Sequence, residues 1–215
     1  GKTPGVLLDV NADAKINSIS IGKGANSVAG NTVLGETALD ASVTGQGNTA
    51  IGKSTLGANT SGANNTAIGR QSLAANTTAS NNTAVGAYTL DSNTTGTENT
   101  AVGYLALESN VSSGGNTAVG FAALDANSSG NNNTGIGRGA LGTNTSGDSN
   151  TAVGKNALDA NTTADNNTAV GLDALGANTT GGNNVAVGAN ALDANTTGSS
   201  NASLGMNSLS SNTTA

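Results

Sequence analysis

The chain has 215 residues and a net charge of −6, with 9% charged residues, two Tyr, one Phe and no Trp, so it lacks the large side chains of a conventional globular core. It also contains no His and no Cys, which removes the most common general base, the usual zinc ligands, thiol nucleophiles and disulfides, and argues against an enzyme or a cofactor-binding protein. Its seven Lys and Arg are scattered and no apolar run is long enough to cross a bilayer, so we expect neither nucleic-acid binding nor a membrane span.

The N-terminal part differs from the rest of the chain. Its first residues, GKTPGVLLDVNADAKI, contain the only Pro and an apolar cluster, Val6, Leu7, Leu8 and Val10. We interpret residues 1–16 as a cap on the first repeat or as an assembly segment. Between Gly22 and Gly35 the glycine anchors lie at shorter spacings of 8 and 5, and residues 17–34 are predicted to form irregular first coils. Because the chain begins with Gly1 rather than Met, we expect a processed form or a piece of a longer protein.

The remainder of the chain is a single array with a period of 17 residues and no insertion. Each repeat contains a glycine, an Asn four residues before it and a Leu four residues after it. The eleven glycines are Gly35, Gly52, Gly69, Gly86, Gly103, Gly120, Gly137, Gly154, Gly171, Gly188 and Gly205. Such regularity is typical of a solenoid, so residues 31–215 are predicted to form one repetitive domain.

The repeat contains strand and turn residues rather than helix formers. Thr-Ala-Val before the glycine is a short β-prone run, whereas Gly and Asn at fixed offsets favour turns. We therefore predict an all-β fold, a parallel β-solenoid (β-roll) of eleven 17-residue coils. Each strand pairs with its equivalents one coil away, at roughly 4.8 Å, so that eleven coils span roughly 53 Å.

Two apolar positions of each repeat are predicted to form a thin continuous core. One is the Val, Ile or Leu just before the glycine, and the Thr two residues earlier shares its parity and is placed inward or at a corner. The other is the Leu four residues after the glycine, where a small neighbour keeps the coil narrow. The core leucines of the second to tenth repeats are Leu56, Leu73, Leu90, Leu107, Leu124, Leu141, Leu158, Leu175 and Leu192.

The invariant glycine and the Asn before it are assigned structural roles. The glycine is predicted to mark a bend where φ is positive or where a Cβ would clash. The Asn side chains are expected to form a structural ladder in which each amide bonds to its neighbours one coil away. These residues are Asn48, Asn65, Asn82, Asn99, Asn116, Asn133, Asn150, Asn167, Asn184 and Asn201.

Three phrases of the chain carry a family resemblance. NSISIG at residues 17–22, NNTAIG at 64–69 and NNTAVG at 81–86 resemble the Asn-Ser-Val-Ala-Ile-Gly phrase in the head domains of trimeric autotransporter adhesins, the YadA-like left-handed parallel β-roll. The 17-residue form also resembles arrays in phage tail fibres and large bacterial surface proteins. The resemblance covers residues 17–215, although the adhesin repeat is usually shorter. It implies a secreted, rod-like surface module that is often trimeric.

A second Asn column, seven residues after the glycine, offers candidate N-glycosylation sites. Each lies in Asn-x-Ser/Thr, and one per coil at a fixed turn position puts the row on one exposed edge. The alternative, which we favour, is a corner Asn in a left-handed turn, because glycans at every ~4.8 Å would crowd one another. The ten residues are Asn59, Asn76, Asn93, Asn110, Asn127, Asn144, Asn161, Asn178, Asn195 and Asn212.

Three other sequence patterns suggest surfaces that could bind a ligand or a partner. The Asn-Thr-Thr column resembles an ice-binding Thr ladder, but its interruption by residues such as Val111 weighs against that role. Acidic residues after the Leu, among them Asp91, Glu108 and Asp125 in consecutive coils, suggest a cation site or, in our preferred interpretation, a solvated edge that limits aggregation. Tyr104 and Phe121, in adjacent coils, form an apolar patch that could be a contact surface.

The functional prediction is therefore an extracellular structural protein, at a cell or virion surface, that forms a stalk, fibre or adhesin-type rod without catalysis. The expected partners are further copies of the chain, as a trimer or as a head-to-tail filament. The array stops without a polar cap, which indicates either a fragment or end-to-end stacking. The alternative function is a repetitive binding module for carbohydrate, a host surface or ice.

Overall fold

The computed structural model describes residues 13–41 and 43–214, and this part of the chain is an all-β solenoid. Its thirteen short strands form one sheet in which the order of strands follows the chain. One 3₁₀ turn, Ala25–Ser27, lies between the second and third strands. The strands are β1 Ala14–Ile16, β2 Ile19–Gly22, β3 Thr32–Gly35, β4 Thr49–Ile51, β5 Thr66–Ile68, β6 Thr83–Val85, β7 Thr100–Val102, β8 Thr117–Val119, β9 Thr134–Ile136, β10 Thr151–Val153, β11 Thr168–Val170, β12 Val185–Val187 and β13 Ala202–Leu204.

The strands from β3 to β13 are parallel and pair in the register of the repeat. Thr100 lies beside Thr117, Ala101 beside Ala118 and Val102 beside Val119, and the same offset of 17 residues holds along the stack. Eleven strands joined by ten such steps make about ten turns. The turns also bond between coils, as when the Leu107 amide donates to the Ala123 carbonyl at 3.0 Å. The predicted parallel β-solenoid is confirmed.

The start of the sheet is antiparallel. β1 and β2 form a hairpin, and β2 then runs antiparallel to β3, so the first coil edge is covered by a strand of opposite direction. The Asp13 carboxylate stabilises the start of the sheet because it accepts hydrogen bonds from the backbone amides of Lys23 and Gly24, each at 2.6 Å. Residues 1–12 of the predicted cap lie outside the described part of the chain. Residues 17–34, predicted as irregular coils, thus include one antiparallel strand.

The core consists of Leu and Ala columns rather than Leu and Val columns. All nine leucines predicted for the core are fully buried, and so is the Ala at the centre of each strand from β4 to β8. The prediction that the residue before the glycine is buried is wrong, since Val102 and Ile136 are 37% and 39% exposed. Successive strand residues alternate between faces, so an inward Ala turns both its Thr and its Val outward. The Thr column is therefore also misplaced.

The turn after each strand places bulky residues in left-handed backbone conformations. Every core Leu has positive φ, with values such as 53° at Leu107 and 53° at Leu124. Such a conformation is uncommon for residues other than Gly, Asn and Asp, and it persists where the surroundings over-determine it. Complete burial of these side chains supplies that constraint. The fold thus accepts a left-handed backbone at the core Leu of each coil, as it does at other turn residues such as Ala122 and Asn132, and fills its narrow interior with Leu.

The glycine at the end of each strand meets the conditions that were predicted for it. Gly120 has a φ of 138°, and a Cβ added there would lie 2.6 Å from the carbonyl oxygen of Gly137 in the next coil. Both the dihedral angle and the close approach of the coils therefore require a residue without a side chain.

Candidate functional site

The first Asn column forms an internal ladder that links side chain to backbone. In each pair of coils from Asn48 onward, the Oδ1 of one Asn accepts the backbone amide of the next, as when the Asn150 amide donates to Asn133 Oδ1 at 2.9 Å. The Nδ2 atoms mostly donate to a carbonyl 14 residues further on, as from Asn150 to Ala164 at 2.8 Å. Direct bonds between side chains are fewer, and one joins Asn65 Nδ2 to Asn48 Oδ1 at 3.1 Å. Most of these amides are completely buried, whereas the last of the column, in the final coil, is half-buried.

The second Asn column forms a ladder between side chains, and both its predicted exposure and the left-handed turn conformation expected for it are wrong. Asn59, Asn76, Asn93, Asn110, Asn127, Asn144, Asn161, Asn178 and Asn195 are completely buried. In all eight steps the Nδ2 of one residue donates to the Oδ1 of the residue one coil before, at 2.8–3.2 Å. These candidate glycosylation sites therefore lie inside the coil. The cause is non-local, since each partner is 17 residues away.

Burial of this column bears directly on glycosylation. A glycan is attached to Nδ2, the same atom that donates to the preceding Asn and to the carbonyl three residues later. A sugar on any of the nine buried residues is therefore incompatible with the folded ladder. Of the ten candidates, Asn212 alone is partly exposed. A signal for this role was present in the sequence, because the column keeps Asn in ten repeats while the two positions after it vary.

The two ladders meet at shared backbone carbonyls. The oxygen of Gly147 accepts Nδ2 of Asn133 from the first column at 2.7 Å and Nδ2 of Asn144 from the second at 3.0 Å. Equivalent carbonyls lie in other coils, for example at Gly62 and Gly130. Buried amides and carbonyls thus largely satisfy one another, as polar groups in a dry interior must. This polar network shares the interior of the coil with the Leu and Ala core.

The Thr residues beside the second ladder use their hydroxyls internally. Thr145 Oγ1 donates to the carbonyl of Thr162 in the next coil at 2.9 Å. The equivalent bond is made by Thr60, Thr77, Thr94, Thr162, Thr179 and Thr196. Of the two Thr positions in the Asn-Thr-Thr pattern that was considered for ice binding, the first is therefore occupied by hydroxyls already bonded to backbone oxygen.

The acidic column lies half-buried along one turn of the coils. Burial raises the pKa of Asp91 and Asp125 above the ordinary value of 3.8, and the Glu108 carboxylate between them raises both further. Burial also raises the pKa of Asp159, with Asp173 adding to the effect, beside an open cavity of about 320 Å³. Within residues 13–41 and 43–214, no three acidic side chains converge as a metal site would require.

These shifts predict an unusual pH dependence for the acidic column. A carboxyl whose folded pKa exceeds its unfolded pKa gives stability that is present below the unfolded value of 3.8 and is lost as pH rises through the folded value. We expect Glu108→Gln to stabilise the protein at pH 7 and to leave it unchanged near pH 3.5, because it removes repulsion that exists only between ionised groups. Urea unfolding at both pH values measures this, with exposed Glu98→Gln as the control. An equal effect of Glu108→Gln at both pH values would contradict the assignment.

The outer surface of the sheet is uniform and uncharged. It carries one column of Thr and one of Val, Ile or Leu from β3 to β11, and we call these two columns, continued to the end of the stack, the sheet face. Val102, Ile136 and Val170 are between 36% and 39% exposed there. The Thr hydroxyls of β4 to β11 bond to nothing within the described residues. The sheet face is thus a continuous amphipathic stripe of methyl and hydroxyl groups.

A second surface lies just beyond the glycine bend and concentrates the cations of the array. It consists of Lys53, Arg70, Tyr88, Tyr104, Phe121, Arg138 and Lys155, and we call it the basic–aromatic strip. Tyr104 and Phe121, predicted as an apolar patch, are 47% and 51% exposed, and their stacked rings lie 5.7 Å apart. The two rings were predicted from the sequence as a surface patch, whereas the cations on either side of them were not assigned to the same surface.

The described residues include no helix of the length and hydropathy that a bilayer-spanning segment needs. No protein-family model, curated protein or solved structure matches the chain.

Proposed function

We propose that this chain is an extracellular structural rod, a stalk or fibre of the adhesin type, whose repeats serve to extend its length. The proposal is carried by one observation, the in-register stacking of eleven equivalent strands in which each coil buries its own Leu, Ala and Asn columns. Because each coil contacts mainly its neighbours, length grows with coil number and shape does not change. The resemblance of NNTAIG and NNTAVG to YadA-like heads supports the same function.

The sheet face supports self-association as part of this proposal. Its two columns from β3 to β13 contain no charged residue, and its aliphatic members are regularly exposed. An exposed apolar surface of such length is typical of a protein contact. Flat sheets pack face to face about 10 Å apart, with side chains of the two faces in contact. A second copy of this chain presents a stripe of matching length and composition.

The area of the sheet face is sufficient for a specific contact. Eleven strands at ~4.8 Å spacing and two outward columns give a stripe of roughly 50 Å by roughly 10 Å. Two copies that pack through it bury about 1,000 Å², which is the threshold for a biological interface and lies below the range of about 1,200–2,000 Å² for stable ones. Lateral association therefore accounts for an oligomer without any further contact. The resemblance implies a trimer.

Two charges on the sheet face should separate the copies without unfolding them. We expect the wild-type chain to be oligomeric by size-exclusion chromatography with light scattering, and the double variant Val102→Lys with Ile136→Lys to be monomeric. Both side chains are already about two-fifths exposed, so the melting temperature of the monomer should change little. The matched control is Thr95→Lys with Ser129→Lys, which adds the same charge at exposed positions outside the sheet face. A monomeric wild type would contradict lateral association.

Head-to-tail stacking is the second route to a fibre, and the same experiment distinguishes it. In the last coil Leu204 is 80% exposed and Leu209 is 49% exposed, whereas Leu192, the equivalent of Leu209 one coil earlier, is completely buried. A further coil placed there would bury Leu209 and reduce the exposure of Leu204 to that of its sheet-face equivalents. Filaments that persist in the sheet-face variant, and that disappear when residues 1–16 are deleted, would assign assembly to the ends rather than to the sheet face.

A further inference from the structure

The basic–aromatic strip is set apart by the distribution of charge. The 17-residue array contains four Lys and Arg in all, and each occupies the position directly after the glycine of its repeat: Lys53, Arg70, Arg138 and Lys155. The chain as a whole has a net charge of −6. These four cations give one column all the positive side chains of the array, and positive side chains attract anions in preference to neutral molecules.

Aromatic rings fill the space between the two arginines. Arg70 lies over the Tyr88 ring, with its Cζ 5.4 Å from the centroid, and Arg138 lies over Phe121 at 5.7 Å. Tyr104 lies between the two outer rings, at 5.9 Å from Tyr88 and 5.7 Å from Phe121. The five side chains thus form one continuous row along the axis with a guanidinium at each end, in which Tyr88 and Tyr104 meet edge to face and Tyr104 and Phe121 are stacked.

The stacking determines which groups remain available to a ligand. An arginine that packs through its flat face keeps the N–H groups at its edge free for a bidentate bond to an oxyanion. Within the part of the chain that the structure describes, Arg70 and Arg138 form no salt bridge, whereas Lys53 pairs with Glu36 at 3.0 Å. The rings therefore hold two exposed guanidinium groups close to their faces without neutralising the positive charge.

The spacing fits an extended anion that lies along the rod. Arg70 and Arg138 are four coils apart, or roughly 19 Å, and the strip from Lys53 to Lys155 covers six coil steps, or roughly 29 Å. No compact anion reaches both arginines. Between them the surface offers ring edges and the hydroxyls of Tyr88 and Tyr104, which can bond to hydroxyl groups. A chain of hydroxyl-rich units with repeated carboxylates matches both features.

We propose that the basic–aromatic strip binds a linear carboxylated polysaccharide aligned with the solenoid axis. Single-stranded nucleic acid fits less well, because its bases need open ring faces to stack on, and every ring here already has at least one face covered by a neighbouring ring or by an arginine. This site lies beyond the glycine bend from the sheet face, so it does not depend on self-association and would give the rod an adhesive side.

The experiment measures binding of polygalacturonate oligomers to the full chain by biolayer interferometry at low salt. We expect Arg70→Ala with Arg138→Ala to weaken binding about tenfold or more, and Arg70→Lys with Arg138→Lys to weaken it less, because lysine keeps the charge but loses the bidentate geometry. Raising the salt concentration should weaken the wild-type complex. Lys15→Ala with Lys23→Ala makes the same change in net charge at exposed positions outside the strip and should leave binding within about twofold of the wild type, since it removes no contact.

Neutral dextran and an oligothymidylate are the comparison ligands. The proposal is overturned if the wild type fails to bind polygalacturonate, if it binds dextran equally, or if it binds the oligothymidylate more tightly. An equal loss in the Lys15 and Lys23 variant would show an effect of net charge alone and would also overturn it. Circular dichroism establishes that each variant is folded. If the Arg70→Ala with Arg138→Ala variant does not fold, the variant with lysine at both positions still allows binding to be measured. Because the sheet-face variant keeps the strip, its binding separates this proposal from that of self-assembly.

Discussion

Replacement of Asn144 by Asp is expected to destabilise the solenoid by about 3–5 kcal/mol at neutral pH, as removal of a partner from a buried charged or polar network does. Asn144 is completely buried. Its Nδ2 donates to Asn127 Oδ1 at 2.9 Å and to the Gly147 carbonyl at 3.0 Å. A carboxylate in this place has no proton to donate, and it faces two oxygen atoms without solvent. Chemical denaturation at pH 7 measures the loss.

The matched control is Asn64→Asp, at an exposed turn residue with no side-chain hydrogen bond in the described chain. Asp also tolerates the left-handed conformation that Asn64 adopts, with a φ of 58°. This control should change the free energy of unfolding by less than about 0.5 kcal/mol, as surface substitutions do. Equal effects of the two substitutions would indicate that Asn144 is exposed and would contradict the internal ladder of Asn side chains.

Gly120→Ala is expected to cost about 2–4 kcal/mol, from the strain of an unsuitable backbone conformation together with a steric clash. The added Cβ would lie 2.6 Å from the Gly137 carbonyl oxygen, and the φ of Gly120 is 138°. The next coil cannot move away without breaking the hydrogen bond from the Gly137 amide to the Val119 carbonyl, at 2.8 Å. Thermal and urea unfolding of the purified variant measure the effect.

Gly57→Ala provides the comparison for this prediction. A Cβ at Gly57 meets its nearest atom at 3.5 Å, which is ordinary contact, and Ala74 occupies the same position one coil later. The substitution should be neutral or stabilising by up to about 1 kcal/mol, because it restricts the unfolded chain. A Gly120→Ala protein as stable as Gly57→Ala would show that the coils are not in close contact at the bend.

The period and two of its positions could be predicted from the sequence because they depend on local chemistry. An uninterrupted step of 17 residues requires equivalent coils, the glycine has no substitute at a crowded bend, and Leu is the largest apolar residue common to all repeats. These constraints predicted the parallel stack and located its Leu column. They required no knowledge of which way each strand faces.

The direction of the strand side chains could not be predicted in the same way. In Thr-Ala-Val the apolar character of Val favours an inward Val, whereas the structure buries the Ala. A three-residue strand is too short for the alternation of its side chains to show which of them points into the core. The decisive factor is the space left beside Leu107 and its equivalents. The left-handed conformation of the core Leu residues could not be predicted from residue propensities either, because packing imposes that conformation.

The second Asn column shows a related limit. Asn161 is followed by two Thr residues, a local pattern that is typical of an exposed turn. Its actual partners are Asn144, one coil before, and Asn178, one coil after. Only the stacking of coils brings these amides together. The ladder can therefore be predicted only after the fold is known. The basic–aromatic strip depends on the same stacking.

Small-angle X-ray scattering tests the stacked solenoid most directly, if the full chain is compared with a variant that lacks residues 87–154, which are four complete repeats. We expect an unchanged cross-sectional radius of gyration and a longest dimension reduced by roughly 19 Å, at ~4.8 Å per coil. A change in cross-section, or a longest dimension that does not shorten with the number of coils, would contradict the stacked solenoid.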